Sequence, residues 1–236
     1  MLALKGNCVT FFGHSTFSLT TPSGQVALID PWVMTNPMCP DKLKKVPKLD
    51  VIFLSHAHSD HLGDLLALAK QHKPQMVAIF ETCLWIGSKG FEKETKPMGK
   101  GGTQKVGEFE VTMTHAFHSN SIEEKGKLIY GGEPASFIVR LPGGLILFHA
   151  GDTAVFGDMK LIAELYKPVF PNYRKKQGGE AEFSQVVLPG WNGALPTTLF
   201  YDKDGKQVGH QVGAGSREVF ENAIRQLLGN SASASR

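Results

Sequence analysis

The chain has 236 residues, 42% of them apolar and 20% charged, with 26 glycines and a formal charge of +3. That length allows one large core or two small ones, and the composition excludes a disordered or coiled-coil protein. The mild charge, bunched only at Lys42, Lys44, Lys45 and at Arg174, Lys175, Lys176, argues against a nucleic-acid surface, and no apolar run approaches the ~18 residues of a spanning helix.

Residues 8–12, 16–20 and 25–30 alternate or run apolar and are broken by Gly13-His14 and Pro22-Ser23-Gly24, the pattern of an antiparallel meander. The start, Met1-Leu2-Ala3-Leu4-Lys5, lacks the apolar stretch of a secretory leader, so a cytoplasmic protein is expected. Cys8, Cys39 and Cys83 form no C-x-x-C pair and suit a reducing compartment; Cys8 and Cys83, in apolar surroundings, are expected as small buried hydrophobes. His14, at a tight turn, either faces a site or bonds to backbone. Asp30 closes the third strand, where a carboxylate either fixes the tautomer of a metal-binding imidazole or caps the strand end. Residues 31–47, rich in Pro, Asn and Met, show no periodicity and read as a loop.

The densest chemistry follows. Val51-Ile52-Phe53-Leu54 reads as a buried strand and Leu65-Leu66-Ala67-Leu68-Ala69 as the start of a helix, so Ser55-His56-Ala57-His58-Ser59-Asp60-His61-Leu62-Gly63-Asp64 lies on a strand-to-helix loop. Three histidines and a carboxylate within six residues cannot all be absorbed by a core, because each ring nitrogen and each charge needs a partner. A divalent metal meets both needs. His56 and His58, two apart on an extended segment, can share one ion; Asp60 and His61, after the chain turns, can reach a second.

The helix is expected to run to about residue 71, with His72 as a favourable C-terminal charge, then a strand over 76–80 and a helix from 81 or 82 towards 88. This β-α-β rhythm predicts parallel pairing. Gly99 to Gly102 form a turn, and residues 106–114 alternate as a strand that leads into His115-Ala116-Phe117-His118-Ser119, with two candidate ligands. Ser119, Asn120, Ser121 and Glu133 either bind substrate or finish turns. Residues 135–141 and 145–148 flank Pro142-Gly143-Gly144 as a hairpin, whose second strand runs into His149-Ala150-Gly151-Asp152-Thr153. Asp152, where a buried strand ends, is well placed to bridge two cations, with His149 as its neighbour.

The H-x-H-x-D-H pattern resembles the metal-binding signature of the metallo-β-lactamase superfamily. Gly13-His14-Ser15-Thr16, Ile29-Asp30-Pro31-Trp32, Ala116-Phe117-His118-Ser119, Gly131-Gly132-Glu133-Pro134 and His149-Ala150-Gly151-Asp152-Thr153 look like landmarks of one branch, the bacterial metal-dependent hydrolases related to ascorbate-6-phosphate lactonase. The resemblance covers about residues 1–167 and implies an α/β fold, the αββα sandwich. It favours His118 as the third histidine of the first metal, leaving His115 beside the site or in the core, and Asp152 as the bridge. Residues 31–47 would border the active-site mouth.

Beyond residue 167 the resemblance fails. The family would continue to a strand ending in Met-His-Tyr, whose histidine completes the second metal site, whereas the only histidine after His149 is His210. Residues 168–229 instead read as an atypical segment of strand, Asp-Gly turn, strand and helix, with Ser216 as the helix cap. About residues 180–228 resemble the C-terminal half of a thioredoxin-like domain, which implies a cis peptide at Pro196; its C-x-x-C is absent, so thioredoxin activity is not expected. Fusion is the expected origin; the alternative, a tail docked in place of the missing elements, would recruit His210 as a ligand. Residues 230–236 read as a disordered tail.

The resemblance thus implies a hydrolase with two divalent ions: His56, His58 and His118 on one, Asp60 and His61 on the other, Asp152 between. A hydroxide held by the ions and oriented by Asp60 would attack an ester, lactone or phosphodiester in a small-molecule substrate. Zinc suits the His-rich set, and manganese or iron suits the carboxylates. No membrane partner is expected, and a homo-oligomer is one option. The alternative reading is a non-catalytic metal-binding or interaction protein with an incomplete active site.

Overall fold

The computed structural model describes residues 4–168 and the backbone of two later strands. Cys8–Gly13 (β1), Thr16–Thr20 (β2) and Val26–Ile29 (β3) form the antiparallel meander, with Phe17 opposite both Phe11 and Ile29. Val51–Phe53 (β4) then pairs in parallel with β3. From β4 the chain passes through Ser59–Leu62 (α1) and Leu65–His72 (α2) to Gln75–Ile79 (β5), and through Phe80–Ile86 (α3) to Thr95–Met98 (β6). Both returns cross over through helix, so β4, β5 and β6 pair in parallel, and the sheet reads in order from β1 to β6.

Thr103–Val106 (β7) and Phe109–His115 (β8) open a second sheet. Ser121–Glu124 (β9) and Lys127–Tyr130 (β10) form a separate hairpin, after which Ala135–Arg140 (β11) and Ile146–His149 (β12) complete the order β12-β11-β8-β7. Met159–Tyr166 (α4) follows.

The central strand β4 shows why two layers form. Successive side chains of a strand face opposite ways, and all of β4 is buried. Phe53 meets Phe109 and Phe137 of the second sheet, each with ring centroids 5.9 Å away, so the sheets stack face to face. Ile52 and Leu54 join Leu65, Leu68, Met76 and Ile86 in the other layer, against α2 and α3. Truncating Phe53 to Ala would cost about 3–5 kcal/mol.

Four strands, β6, β7, β9 and β10, were not expected from the sequence. Cys8 corrects another expectation: it is exposed, because β1 is the outermost strand of its sheet, whereas Cys39 and Cys83 are buried.

Leu4–Val169 is one compact unit. In the other, Thr197–Tyr201 (β13) and Gln207–Val212 (β14) pair antiparallel. The expected Pro196 geometry, the helix after Ser216 and the terminus at 230–236 lie outside the described residues. Among the described residues, no helix is long and apolar enough to cross a membrane.

Candidate metal centre

Where β4 ends, His58 is extended, with φ −63° and ψ 153°, and caps the single turn α1, which carries Asp60 and His61 round to the same rim. The loops after β8 and β12 deliver His118 and Asp152. Three sets of side chains converge, each with its donor atoms within 4.8 Å of one another: His56, His58 and His118; His14, Asp60 and His61; and His56, His61 and Asp152. His56 Nε2 is 3.1 Å from His58 Nδ1. The Asp152 carboxylate spans the sets, one oxygen 3.3 Å from His61 Nε2 and the other 3.9 Å from His118 Nε2.

The surrounding hydrogen bonds orient these groups. Asp30, fully buried, accepts from the Ser55 backbone N–H at 2.8 Å, from Ser55 Oγ at 2.7 Å and from His61 Nδ1 at 2.8 Å. The His61 ring is therefore held through Nδ1, and Nε2 faces the cluster. Buried Asn120 accepts from the Ala57 N–H at 2.8 Å through Oδ1 and donates to Gly131 O at 2.8 Å, fixing the residue between His56 and His58. Ser136 Oγ lies 2.7 Å from Ala150 O and 3.1 Å from His115 O, which ties the ends of β12 and β8 together. Thr153 Oγ1 accepts from the Phe117 N–H at 2.8 Å, joining the loops of His118 and Asp152. Gly151, at φ +59°, allows the closest approach: a Cβ there would be 2.8 Å from Ser55 Cβ.

The charges are set by these contacts. Burial, reinforced by the charge on His61, pushes His56 down to about 4, so its imidazole is neutral. Burial and then His118 also lower His58. For His61 burial acts downward, but the Asp30 hydrogen bond and the charges of Asp30, Asp152 and Asp60 outweigh it and raise the group. Burial would raise Asp30, yet the His61 hydrogen bond and the His149 and His61 charges hold it below the ordinary carboxylate range.

The remaining sequence candidates divide. Asp30 stands behind His61, with Oδ2 2.8 Å from Nδ1. His149 is a neighbour, its Nε2 donating to Ser15 O at 2.9 Å and lying 4.0 Å from Asp30. His115 lies apart from the three sets, with Nδ1 accepting from Lys100 at 3.0 Å and its ring against Phe156. Exposed Glu133 pairs with Lys100 at 3.4 Å. His14 is closer than either sequence reading required, with Nε2 3.2 Å from Asp60 Oδ2 and from His61 Nε2. His210 is on β14 opposite Leu199, and its side chain lies outside the described residues.

Residues 26–170 match the family profile described as Beta-lactamase superfamily domain. The chain belongs to that superfamily. Within it, a UPF0173 metal-dependent hydrolase of Solibacter usitatus is 52% identical over 160 residues, 68% of this chain and 69% of the relative. Another, from Methanosarcina barkeri, is 44% identical over 165 residues, 70% of this chain and 69% of the relative. Among solved structures, Igni18, a metallo hydrolase of Ignicoccus hospitalis, superposes with a TM-score of 0.58 at 32% identity, covering 68% of this chain and 66% of that one. CmlA, a diiron beta-hydroxylase of Streptomyces venezuelae, shares the fold alone, with a TM-score of 0.53 at 18% identity, covering 70% of this chain and 33% of that one.

Proposed function

We propose that the protein is a metal-dependent hydrolase acting on an ester, lactone or phosphodiester of a small molecule. Its centre would hold two divalent ions, one on His56, His58 and His118 and the other on Asp60 and His61, with Asp152 between them. The observation that carries this reading is the Asp152 carboxylate, whose two oxygens reach towards one imidazole of each set.

The donors fit such ions. His56, kept neutral by burial, need not be deprotonated before it binds, and the Asp30 hydrogen bond already turns His61 Nε2 to the cluster. A nitrogen-rich set with two carboxylates favours zinc, with manganese or iron compatible. Bound there, the ions would polarise the scissile carbonyl or phosphoryl group and acidify water.

The protein's own groups do the rest. Asp60, with its side chain 41% exposed, opens onto a cleft of about 280 Å³ lined by His58, Ser59, Asp60, Ser121, Glu123 and Leu128. A carboxylate so placed orients the attacking water and accepts its proton. The cleft is near the lower end of ligand sites, roughly 300–1,000 Å³, which points to a small substrate. Ser121 and Glu123 offer polar contacts, and Leu128 an apolar one.

The test uses the full chain, stripped of metal and reloaded with zinc or manganese. Metal content is measured beside hydrolysis of a generic phosphodiester and a lactone panel. Two equivalents with metal-dependent turnover are expected, and His118→Ala should remove one equivalent and the turnover. Two tightly bound ions with no turnover on any substrate would replace the hydrolase with a non-catalytic metal-binding protein.

A further inference from the structure

We infer that His14 is a direct ligand of the second ion, occupying the coordination position that Asp60, His61 and Asp152 leave open. This rests on the two-ion reading above, and it gives a role to a residue that the sequence leaves between a site neighbour and a backbone contact.

Three observations carry it. First, the spacing is that of ligands on one ion. At ~2.0–2.2 Å per bond, neighbouring donors around a single zinc lie about 3–3.5 Å apart. His14 Nε2 is 3.2 Å from His61 Nε2 and 3.2 Å from Asp60 Oδ2, matching the 3.1 Å between His56 and His58 in the first set.

Second, the three groups meet where no single hydrogen bond serves them all. Asp30 is engaged by His61 Nδ1, so His61 Nε2 is the ring atom turned to His14 Nε2, which also faces the Asp60 carboxylate. A cation satisfies the two facing nitrogens and the Asp60 carboxylate together. A hydrogen bond from His14 would satisfy only one of its two neighbours well.

Third, the backbone is built to aim this ring. His14 is in the left-handed region at φ +53°, which a non-glycine residue rarely adopts without a surrounding constraint. Gly13 before it, at φ +101°, passes so close to Met38 that a Cβ would be 2.7 Å from that residue's Cβ. The imidazole meets Trp32 edge-on, with centroids 5.5 Å apart, a contact that restrains its orientation. The loop after β1 thereby adds a fourth segment to a centre otherwise built from the loops after β4, β8 and β12.

The test is metal binding, not turnover. His14→Gly keeps the left-handed backbone available and deletes the ring; zinc is titrated into the metal-free full chain against a chromophoric chelator, with and without free imidazole. The wild type should take two equivalents. The variant should keep the first and bind the second more weakly than the roughly 10–100-fold that loss of an outer partner brings, and imidazole should restore part of that loss. If the Gly variant does not fold, His14→Asn, which also tolerates the backbone, carries the same comparison. A second equivalent weakened by less than that range, or insensitive to imidazole, overturns the ligand assignment while the two-ion reading stands. A wild type that binds one ion or none overturns both.

Discussion

Asp30 belongs to none of the three donor sets, yet it holds one of their imidazoles in place. It is completely buried and accepts three hydrogen bonds, from Ser55 N–H, Ser55 Oγ and His61 Nδ1. Asp30→Asn keeps the shape but replaces one acceptor by an amide that faces donors. We expect the second ion to bind about 10–100-fold more weakly and the fold to lose about 1–3 kcal/mol for the unsatisfied groups, with the first ion nearly unchanged. Separate titration of the two equivalents checks this, and equal weakening of both would count against the path from Asp30 to His61. The thiols give a second residue-scale expectation. Burial pushes Cys83 up to about 11, and Cys39 is also raised, mainly by burial. The thiolate is the reactive form, so in mildly alkaline buffer a maleimide should label exposed Cys8 alone. Peptide mapping of the labelled full chain would show it, and fast labelling of Cys83 would contradict the packing of α3 on β5.

Among the elements, the β9–β10 hairpin is the one whose absence from the sequence reading matters most for function. A lone two-stranded hairpin is marginal in water, and this one is held from outside. Trp85 Nε1 donates to Glu124 Oε2 at 3.2 Å, Lys89 pairs with the same carboxylate, and Thr82 Oγ1 donates to Gly131 O at 2.6 Å. The Lys89 bond, then the Trp85 one, hold Glu124 below its usual range. Because Ser121, Glu123 and Leu128 of this hairpin line the cleft, Glu124→Gln should loosen a substrate wall and spare the ions. The expected result is a several-fold higher KM with kcat and metal content close to wild type; a fall in metal content instead would mean that the hairpin supports the centre itself. The sequence hid this element for a physical reason. In Lys127–Tyr130 the burial runs exposed, exposed, intermediate, exposed, so no apolar alternation marks a strand. Polar Thr95–Met98 and Thr103–Val106 escaped likewise at the outer edges of their sheets. By contrast, β4, α2, β5 and the β11–β12 pair bury most of their apolar residues and were legible. The same division holds in the site. His56, His58, Asp60 and His61 fall within six residues, so their grouping could be read from spacing, whereas the aim of His14 depends on a backbone angle and on Trp32, which only the assembled fold supplies.

Across the unit Leu4–Val169, the rim brings together His14, His56, His61, His118 and Asp152, groups spread over most of its length. Without a cation, ring nitrogens and carboxylate oxygens crowd this rim, and direct bonds such as Phe117 N–H to Thr153 Oγ1 are left to hold the loops. An ion that binds only the folded state stabilises it by about 2.7 kcal/mol at a free concentration 100 times its dissociation constant. For a domain of this size each kcal/mol moves the midpoint by roughly 2–4 °C. Chelation of the full chain should therefore lower Tm by about 5–10 °C for each ion so held, and re-added zinc should restore it in a concentration-dependent way. Asp152→Asn, which removes a carboxylate from between the two proposed ions, should shrink that shift, whereas metal at scattered surface sites would leave it unchanged. A Tm that ignores both the chelator and the substitution would mean that the rim is rigid without metal and that its crowded imidazoles are satisfied by the protein alone.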